Sequence, residues 1–195
     1  MSYASGVRGR AGAFWVALGG AALLGIGGMA AAEQVPEFSL KDPSEGVHTQ
    51  KELLERGAVI VVTIPNVKHG ENQERWTNGI KKALPETGPR VVVLEDMSQS
   101  NVREKAMKSM KEKYQPGQRT LLLVDPTGET RRAFGVPQDE TAVLVCNREG
   151  AVIHRVTGVT VPDEVKEALK RVVKAAQEIG AAPAKNGGGT GAAQK

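Results

Sequence analysis

Two short aliphatic runs constrain the fold of this chain more than any other feature of its sequence. Residues 58–64 read AVIVVTI and residues 90–95 read RVVVLE, without the alternation of polar residues expected for a half-exposed strand. Continuous runs of this kind are typical of strands buried on both faces of a sheet. Between them, residues 71–84 carry apolar side chains at helical spacing. The order strand, helix, strand predicts a parallel sheet covered by helices.

The rest of the chain continues this alternation. The pattern predicts, in order, a helix over 98–114, a strand over 119–124, a short helix over 130–134, a hairpin of strands at 141–147 and 151–156, and a final helix from Thr160 to Gly180. In the helix over 98–114, one stripe holds Val102, Ala106, Met110 and Tyr114. The final helix is expected to bury Val161, Val165, Leu169, Val172 and Ile179. The predicted fold class is α/β, with a central mixed sheet and flanking helices.

Residues 1–32 have the pattern of a secretory signal peptide. Arg8 and Arg10 precede an uncharged stretch, 11–32, that ends in three alanines before Glu33. The alternative is an uncleaved anchor, because an uncharged run of this length can just span a bilayer. The six glycines of the stretch and the small residues before Glu33 favour cleavage. We therefore expect a periplasmic protein that begins near Glu33 and has no stable membrane anchor.

The mature chain is expected to form one domain over 33–180, followed by a disordered Gly/Ala-rich tail at 181–195. Without Arg8 and Arg10, 24 basic residues remain against 22 acidic ones, a net charge of +2. This balance excludes the strongly basic surface typical of nucleic-acid-binding proteins. The single cysteine, Cys146, excludes an intramolecular disulfide, a dithiol redox pair and a cysteine-rich zinc site. No metal or cofactor is expected.

Three segments follow a pattern found in a known superfamily. VPEFSL at 35–40 is similar to the APDFTL opening of redoxins, LLLVDPTGETRRAFGV at 121–136 to their segment LLDxxGxxAxxYGV, and AVLVCNREGAVIHRVTG at 142–158 to TFLIDRDGxIxxxxG. In this order they resemble the thioredoxin-like, or redoxin, superfamily. Within it, TAVLVCNREG at 141–150 and GVTVPDEV at 158–165 most resemble the YtfJ-type periplasmic proteins. The resemblance implies a thioredoxin-like fold with a redoxin-type insertion and a periplasmic location, but no particular reaction.

The resemblance also implies where chemistry would occur. In this superfamily a reactive thiolate follows the first buried strand, at the N-terminus of the next helix, where the helix dipole stabilises it. The corresponding segment here, TIPNVKHGE at 63–71, contains no cysteine, so activity as a thiol oxidoreductase is not expected. The superfamily's cis-proline before the fourth strand is replaced by Thr141, unless a shifted register brings Pro137 to that place.

A candidate cleft remains at the carboxyl ends of the strands, where α/β sheets bind ligands. Its predicted lining is Pro65, Asn66, Lys68, His69, Glu71 and Thr141. His69 could act as a general base or metal ligand, but an exposed loop histidine is favoured, because His48 and His154 lie in separate elements. A hydrolytic activity recruited into this cleft is one enzymatic alternative.

Two other candidates are less favoured. Cys146 could be a redox sensor or form an intermolecular disulfide, but within an apolar strand it is expected to be a small buried hydrophobic residue. Glu95 and Asp96 could be paired acids. Neighbouring strand residues point to opposite faces, so we expect them instead to end the strand before a helix cap at Ser98.

The sequence therefore predicts a non-catalytic periplasmic module that binds another periplasmic protein or a small ligand. The alternative is a thiol oxidoreductase or peroxidase-like enzyme that uses Cys146 alone. The two differ in one property, the access of substrate to that sulfur.

Overall fold

The computed structural model describes residues 32–63 and 67–181. The predicted signal peptide, apart from Ala32, and the predicted tail, apart from Ala181, lie outside these ranges. Thirteen segments of regular structure follow along the described chain. The strands are β1 Ser39–Lys41, β2 Val47–Thr49, β3 Ala58–Thr63, β4 Arg90–Asp96, β5 Thr120–Asp125, β6 Ala142–Cys146 and β7 Val152–Thr157. The helices are α1 Gln50–Leu53, a 3-10 turn Leu54–Arg56, α2 Val67–Ala83, α3 Arg103–Lys113, α4 Glu129–Ala133 and α5 Pro162–Ala181.

All seven strands form one mixed sheet in the order β2-β1-β5-β4-β3-β6-β7. The central strands β3, β4 and β5 are parallel to one another. On one side β6 and β7 add antiparallel strands, and on the other side β1 pairs with β5 antiparallel. The predicted α/β class and mixed sheet are confirmed. The two aliphatic runs form β3 and β4, whose neighbours on both sides and both faces leave them buried as predicted.

Helices α2 and α5 cover one face of the sheet. The buried side of α2 holds Trp76 and Ile80, Leu84 follows directly after the helix, and α5 packs beside it. The two helices come close at Gly79, where an added Cβ would lie 2.4 Å from Leu169 Cδ2. Alternate residues of β3 and β4 complete this core, since the pleat turns every second side chain to this face.

The opposite face is covered by the N-terminal segment, α1 and α4. Gln34 forms a bridge with Ala151 after β6, whereas Leu40 lies in β1 near the other side of the sheet. Between them Phe38 packs on Phe134, with ring centroids 6.1 Å apart. The first residues of the domain thus cross the sheet as a strap, which we define as residues 33–41.

Helices α2, α3 and α5 have boundaries that differ from the predicted ones. Helix α2 begins at Val67, so the predicted loop around His69 is its first turn. Helix α5 begins at Pro162, a residue suited to the first helical position because it needs no hydrogen-bond acceptor there. Val161 therefore precedes the helix and is 51% exposed, so its predicted burial is wrong, and Gly180 lies within α5 rather than after it.

Helix α3 differs most from its prediction. It begins at Arg103 rather than at residue 98, because Ser98 and Ser100 form a turn after β4: the Ser98 N–H donates to Asp96 Oδ1, and the Ser100 N–H donates to the Met97 carbonyl. None of the residues of α3 is buried. Of the apolar stripe, Val102 is 54% exposed and the others are only partly covered. Helix α3 is therefore packed only loosely against the rest of the domain.

Candidate functional site

The carboxyl ends of the parallel strands gather polar residues at one edge of the sheet. Thr63 pairs in register with Glu95, and Asp96 with Asp125, so the ends of β3, β4 and β5 lie side by side. All four side chains are buried. Polar groups in such a position need partners or a function, because burying them without hydrogen bonds costs free energy.

Thr141 lies at this same edge. Strand β6 runs antiparallel to β3, and the pairing of Val62 with Ala142 places the backbone of Thr141 beside the end of β3. The Thr141 carbonyl accepts a hydrogen bond from the Gly158 N–H at 3.1 Å. Among the described residues, the buried hydroxyls of Thr63 and Thr141 have no hydrogen-bond partner. The structure thus brings one predicted cleft residue to the end of β3.

The other predicted cleft residues are described only in part. Pro65 and Asn66 lie outside the described residues. Lys68 and His69 occupy the first turn of α2, where their backbone is described. Glu71 lies further along the same helix and is exposed. Within the described ranges, no group of three or more His, Cys, Asp and Glu residues is arranged to hold a metal ion.

Cys146 lies near the amino ends of the parallel strands, at the other end of β6 from Thr141. It pairs with Ala58, the first residue of β3, and it lies five positions along the chain from Thr141, about 17 Å at the usual rise per residue. The side chain has no exposed surface. Burial and the nearby charge of Glu33 raise the pKa of the Cys146 thiol to about 12, against the smaller opposite effect of Arg155. The predicted burial of Cys146 is confirmed.

Asp96 and Asp125 form a polar network with Arg131 that the sequence analysis did not detect. The Arg131 side chain donates from Nε to Asp96 Oδ2 at 2.5 Å and from Nη1 to the Val136 carbonyl. Asp125 accepts from the Arg131 N–H at 3.1 Å and from the Gly128 N–H at 2.8 Å. Burial opposes the ionisation of Asp96, but hydrogen bonds from Ser98 and Arg131 outweigh it and lower the pKa of Asp96. The network ties α4 to the strand ends.

Gly128 allows this network to form. Its φ of 71° is a left-handed conformation, and a Cβ there would lie 3.0 Å from both carboxylate oxygens of Asp96. The Asp-Pro-Thr-Gly turn was recognisable in the sequence, but its contact with a residue about thirty positions earlier was not.

Glu95 points to the other face, as predicted for a neighbour of Asp96. It is 5% exposed, and Gln73 Nε2 of α2 donates to its Oε1 at 2.6 Å. Its second oxygen, Oε2, is buried and has no partner among the described residues. Burial raises the pKa of Glu95 to about 6, although the hydrogen bond from Gln73 opposes the shift.

Two cavities flank the loosely covered helix α3. One, of about 550 Å³, lies between the strap, α3 and α4, and is lined by Phe38, Leu40, Met97 and Met107 among others. The second, of about 390 Å³, lies between α2 and α3 above β4 and β5, and Glu95 lines it. Sequence periodicity could not reveal either cavity, because both result from how α3 sits on the sheet.

The likeness to known proteins is found among solved structures. The sequence matches no protein-family model and no curated protein. A thiol:disulfide interchange protein described as DsbE from Chlorobium tepidum is 20% identical, with a TM-score of 0.57 over 74% of this chain and 96% of that one. BsSco, of the Sco family of cytochrome c oxidase assembly proteins, is 13% identical, with a TM-score of 0.56 over 75% of this chain and 95% of that one.

A third solved structure is a secreted Mycobacterium tuberculosis disulfide oxidoreductase homologous to DsbE of E. coli. It is 15% identical, with a TM-score of 0.51 over 70% of this chain and 95% of that one. At these identities the likeness establishes the fold alone. The chain therefore has a thioredoxin-like fold of the redoxin type, as the sequence resemblance implied. None of the described helices combines the length and the apolar character needed to cross a bilayer.

Proposed function

We propose that this protein is a non-catalytic, exported binding module built on a thioredoxin-like fold. The observation that supports the proposal is the position of its sulfur. Cys146 is fully buried, its thiol is strongly disfavoured from ionising, and it lies at the edge of the sheet away from the N-terminus of α2. Thiol-disulfide and peroxide chemistry require a thiolate that a substrate can reach.

The proposed binding surface is the carboxyl edge of the sheet. We propose that it includes the cleft residues that the sequence predicts, Pro65, Asn66, Lys68, His69, Glu71 and Thr141. The partner is another periplasmic protein or a small ligand, and the narrower relation to the YtfJ-type proteins belongs to the same proposal. Export through a cleaved signal predicts that protein recovered from the periplasm begins near Glu33. Full-length chain recovered only from membranes would instead indicate an anchor.

The decisive experiment measures the reactivity of Cys146. The native protein should react slowly with a thiol reagent and the denatured protein fast, because the folded chain excludes the reagent. A matched control moves the only thiol to the surface: the double variant Cys146→Ala with Val161→Cys should label rapidly while folded, since Val161 is 51% exposed. Purified protein should reduce neither insulin nor peroxide above a heat-denatured sample, and Cys146→Ala should behave identically.

The alternative enzyme makes the opposite prediction. Rapid labelling of the native wild-type thiol, together with a reductase or peroxidase rate that Cys146→Ala abolishes, would replace the binding module with a one-cysteine enzyme. The substitution itself should cost on the order of 1 kcal/mol in stability, because one small buried side chain is removed.

A further inference from the structure

The cavity between α2 and α3 is lined by polar groups without partners. We define this α2–α3 groove by the residues that line it: Gln73, Glu74, Thr77, Asn78 and Lys81 of α2, Ser109, Met110 and Lys113 of α3, Tyr114 and Gln118 after it, and Val93, Glu95, Thr120 and Leu122 of the strands. Three buried oxygens of the groove lack any hydrogen-bond partner among the described residues: Glu95 Oε2, Thr77 Oγ1 and Thr120 Oγ1. Such atoms are rare in folded proteins and need an explanation.

The sequence of α2 keeps this groove polar. Gln73, Thr77 and Lys81 recur at a spacing of four and therefore lie along one stripe of the helix. The stripe that packs on the sheet and α5 is apolar, with Trp76 and Ile80 buried, and Leu84 just after the helix continues it. A helix meant only to pack against α3 would present apolar residues there as well.

The two ends of the groove carry opposite charges. Glu95 lies at the end of β4, beside Gln73, whereas Lys81 lies eight residues further along α2, about 12 Å by the helical rise. Lys113 of α3 also lines the groove. Between these ends, Val93, Leu122 and Met110 provide an apolar part of the lining. The volume of about 390 Å³ falls in the range of small-molecule sites.

We propose that the α2–α3 groove binds a short zwitterionic peptide of two or three residues. Its ammonium group donates to the free oxygen of Glu95, and its carboxylate lies toward Lys81 and Lys113. Two or three extended residues span about 7–11 Å, comparable with the rise of about 12 Å along α2 from Gln73 to Lys81. The hydroxyls of Thr77 and Thr120 supply hydrogen bonds to the peptide backbone, and the apolar lining contacts a side chain.

Other simple ligands fit the groove less well. An inorganic anion would face the buried carboxylate of Glu95, and a bare cation would meet the positive charges of Lys81 and Lys113 in the same groove. A purely apolar ligand would leave the three buried oxygens unsatisfied, which is unfavourable. A molecule with a donor group at one end and an anion at the other satisfies all of these groups.

Isothermal titration of the purified mature protein with the peptide Ala-Leu-Ala at pH 7.5 tests the proposal. Wild type should bind saturably, and both N-acetylation of the peptide and the variant Glu95→Gln should weaken binding at least about tenfold, since each removes one half of a buried charge pair. Glu112→Gln is the matched control, because Glu112 is exposed on α3 outside the groove and should leave affinity unchanged.

A second pair of measurements keeps the test independent of Glu95. Lys81→Gln combined with Lys113→Gln should weaken binding of Ala-Leu-Ala but not of its C-terminal amide, which lacks the carboxylate. Absence of saturable binding, or affinity that survives both acetylation and Glu95→Gln, would overturn the proposal. Neither result bears on Cys146, so the assignment of a non-catalytic module stands or falls separately on thiol reactivity.

Discussion

Glu95 and Asp96 are neighbours in the chain, yet they occupy opposite environments. Asp96 is enclosed by Arg131 and the Ser98 N–H, and its pKa is lowered. Glu95 receives one hydrogen bond, keeps one buried oxygen without a partner and has a raised pKa. The pleat of β4 alone separates them, because it turns one side chain toward α4 and the other toward the α2–α3 groove. On one face of the strand end the Asp96 carboxylate is paired and hydrogen-bonded, and on the other face the Glu95 carboxylate keeps an oxygen without a partner.

Loss of the ion pair between Asp96 and Arg131 should have the largest effect on the free energy of unfolding. Asp96→Asn keeps the shape of the side chain but leaves the buried Arg131 guanidinium without its counter-charge. Loss of one partner from a buried ion pair typically costs about 3–5 kcal/mol. Urea denaturation at pH 7 should show this loss. A cost below about 1 kcal/mol would mean that Arg131 finds other partners and that the network contributes little.

Loss of the charge of Glu95 should raise the free energy of unfolding, whereas loss of the charge of Asp96 lowers it. The folded pKa of Glu95, about 6, lies above the 4.5 of an exposed glutamate, so the folded protein binds this proton more tightly than the unfolded chain. This contribution to stability is therefore complete below pH 4.5 and is lost as the pH rises through about 6. A difference of this size corresponds to about 2 kcal/mol.

Glu95→Gln isolates that contribution because it removes the titration and keeps the size of the side chain. The free energy of unfolding of the variant should exceed that of wild type by up to about 2 kcal/mol at pH 7.5 and should match it at pH 4.5. Denaturation of both proteins at the two pH values provides the comparison. A variant less stable than wild type at pH 7.5 would show that ionised Glu95 is well satisfied in the folded protein.

The smallest effect concerns a hydroxyl of the groove. Thr77→Val replaces a buried group that has no partner by an isosteric apolar one, so stability should change by less than about 1 kcal/mol and in the favourable direction. Thr127→Val is the matched contrast, because the Thr127 hydroxyl bonds to Asp125 and to the Glu129 N–H at 3.3 Å. That variant should lose stability. Equal losses in both variants would show that Thr77 has an unrecognised partner.

Much of the sheet was predictable, because β3 and β4 contain short, uninterrupted, β-branched aliphatic runs that are typical of strands buried on both faces. The hairpin of β6 and β7 was equally clear from the turn at 147–150 between apolar segments. The opposite orientation of Glu95 and Asp96 also followed from strand geometry alone. These features depend on local pattern, which a single sequence records.

The features that the sequence did not reveal depend on specific side-chain contacts, one of them local and the others distant. Residues 98–102 have helical periodicity, but Asp96 holds the Ser98 N–H and delays the start of α3. The pairing of Asp96 with Arg131 joins residues 35 positions apart, and nothing in either local segment announces it. The α2–α3 groove likewise exists because α2 and α3 do not pack closely against each other. Only the polar stripe of α2 hinted at it.

The N-terminal strap has a consequence for the order of assembly. Apart from the local pairing of β1 with β2, its attachments are to residues far along the chain: the Val35 N–H donates to the Gly150 carbonyl, the Glu33 carbonyl accepts from the Val152 N–H, and Lys41 pairs with Val124. The part of the domain that leaves the ribosome first therefore has no folded surface to join until most of the chain exists. Contacts of such long sequence separation close large loops and slow folding. The strap should therefore join the sheet late in folding, after β5 and the hairpin of β6 and β7 have formed.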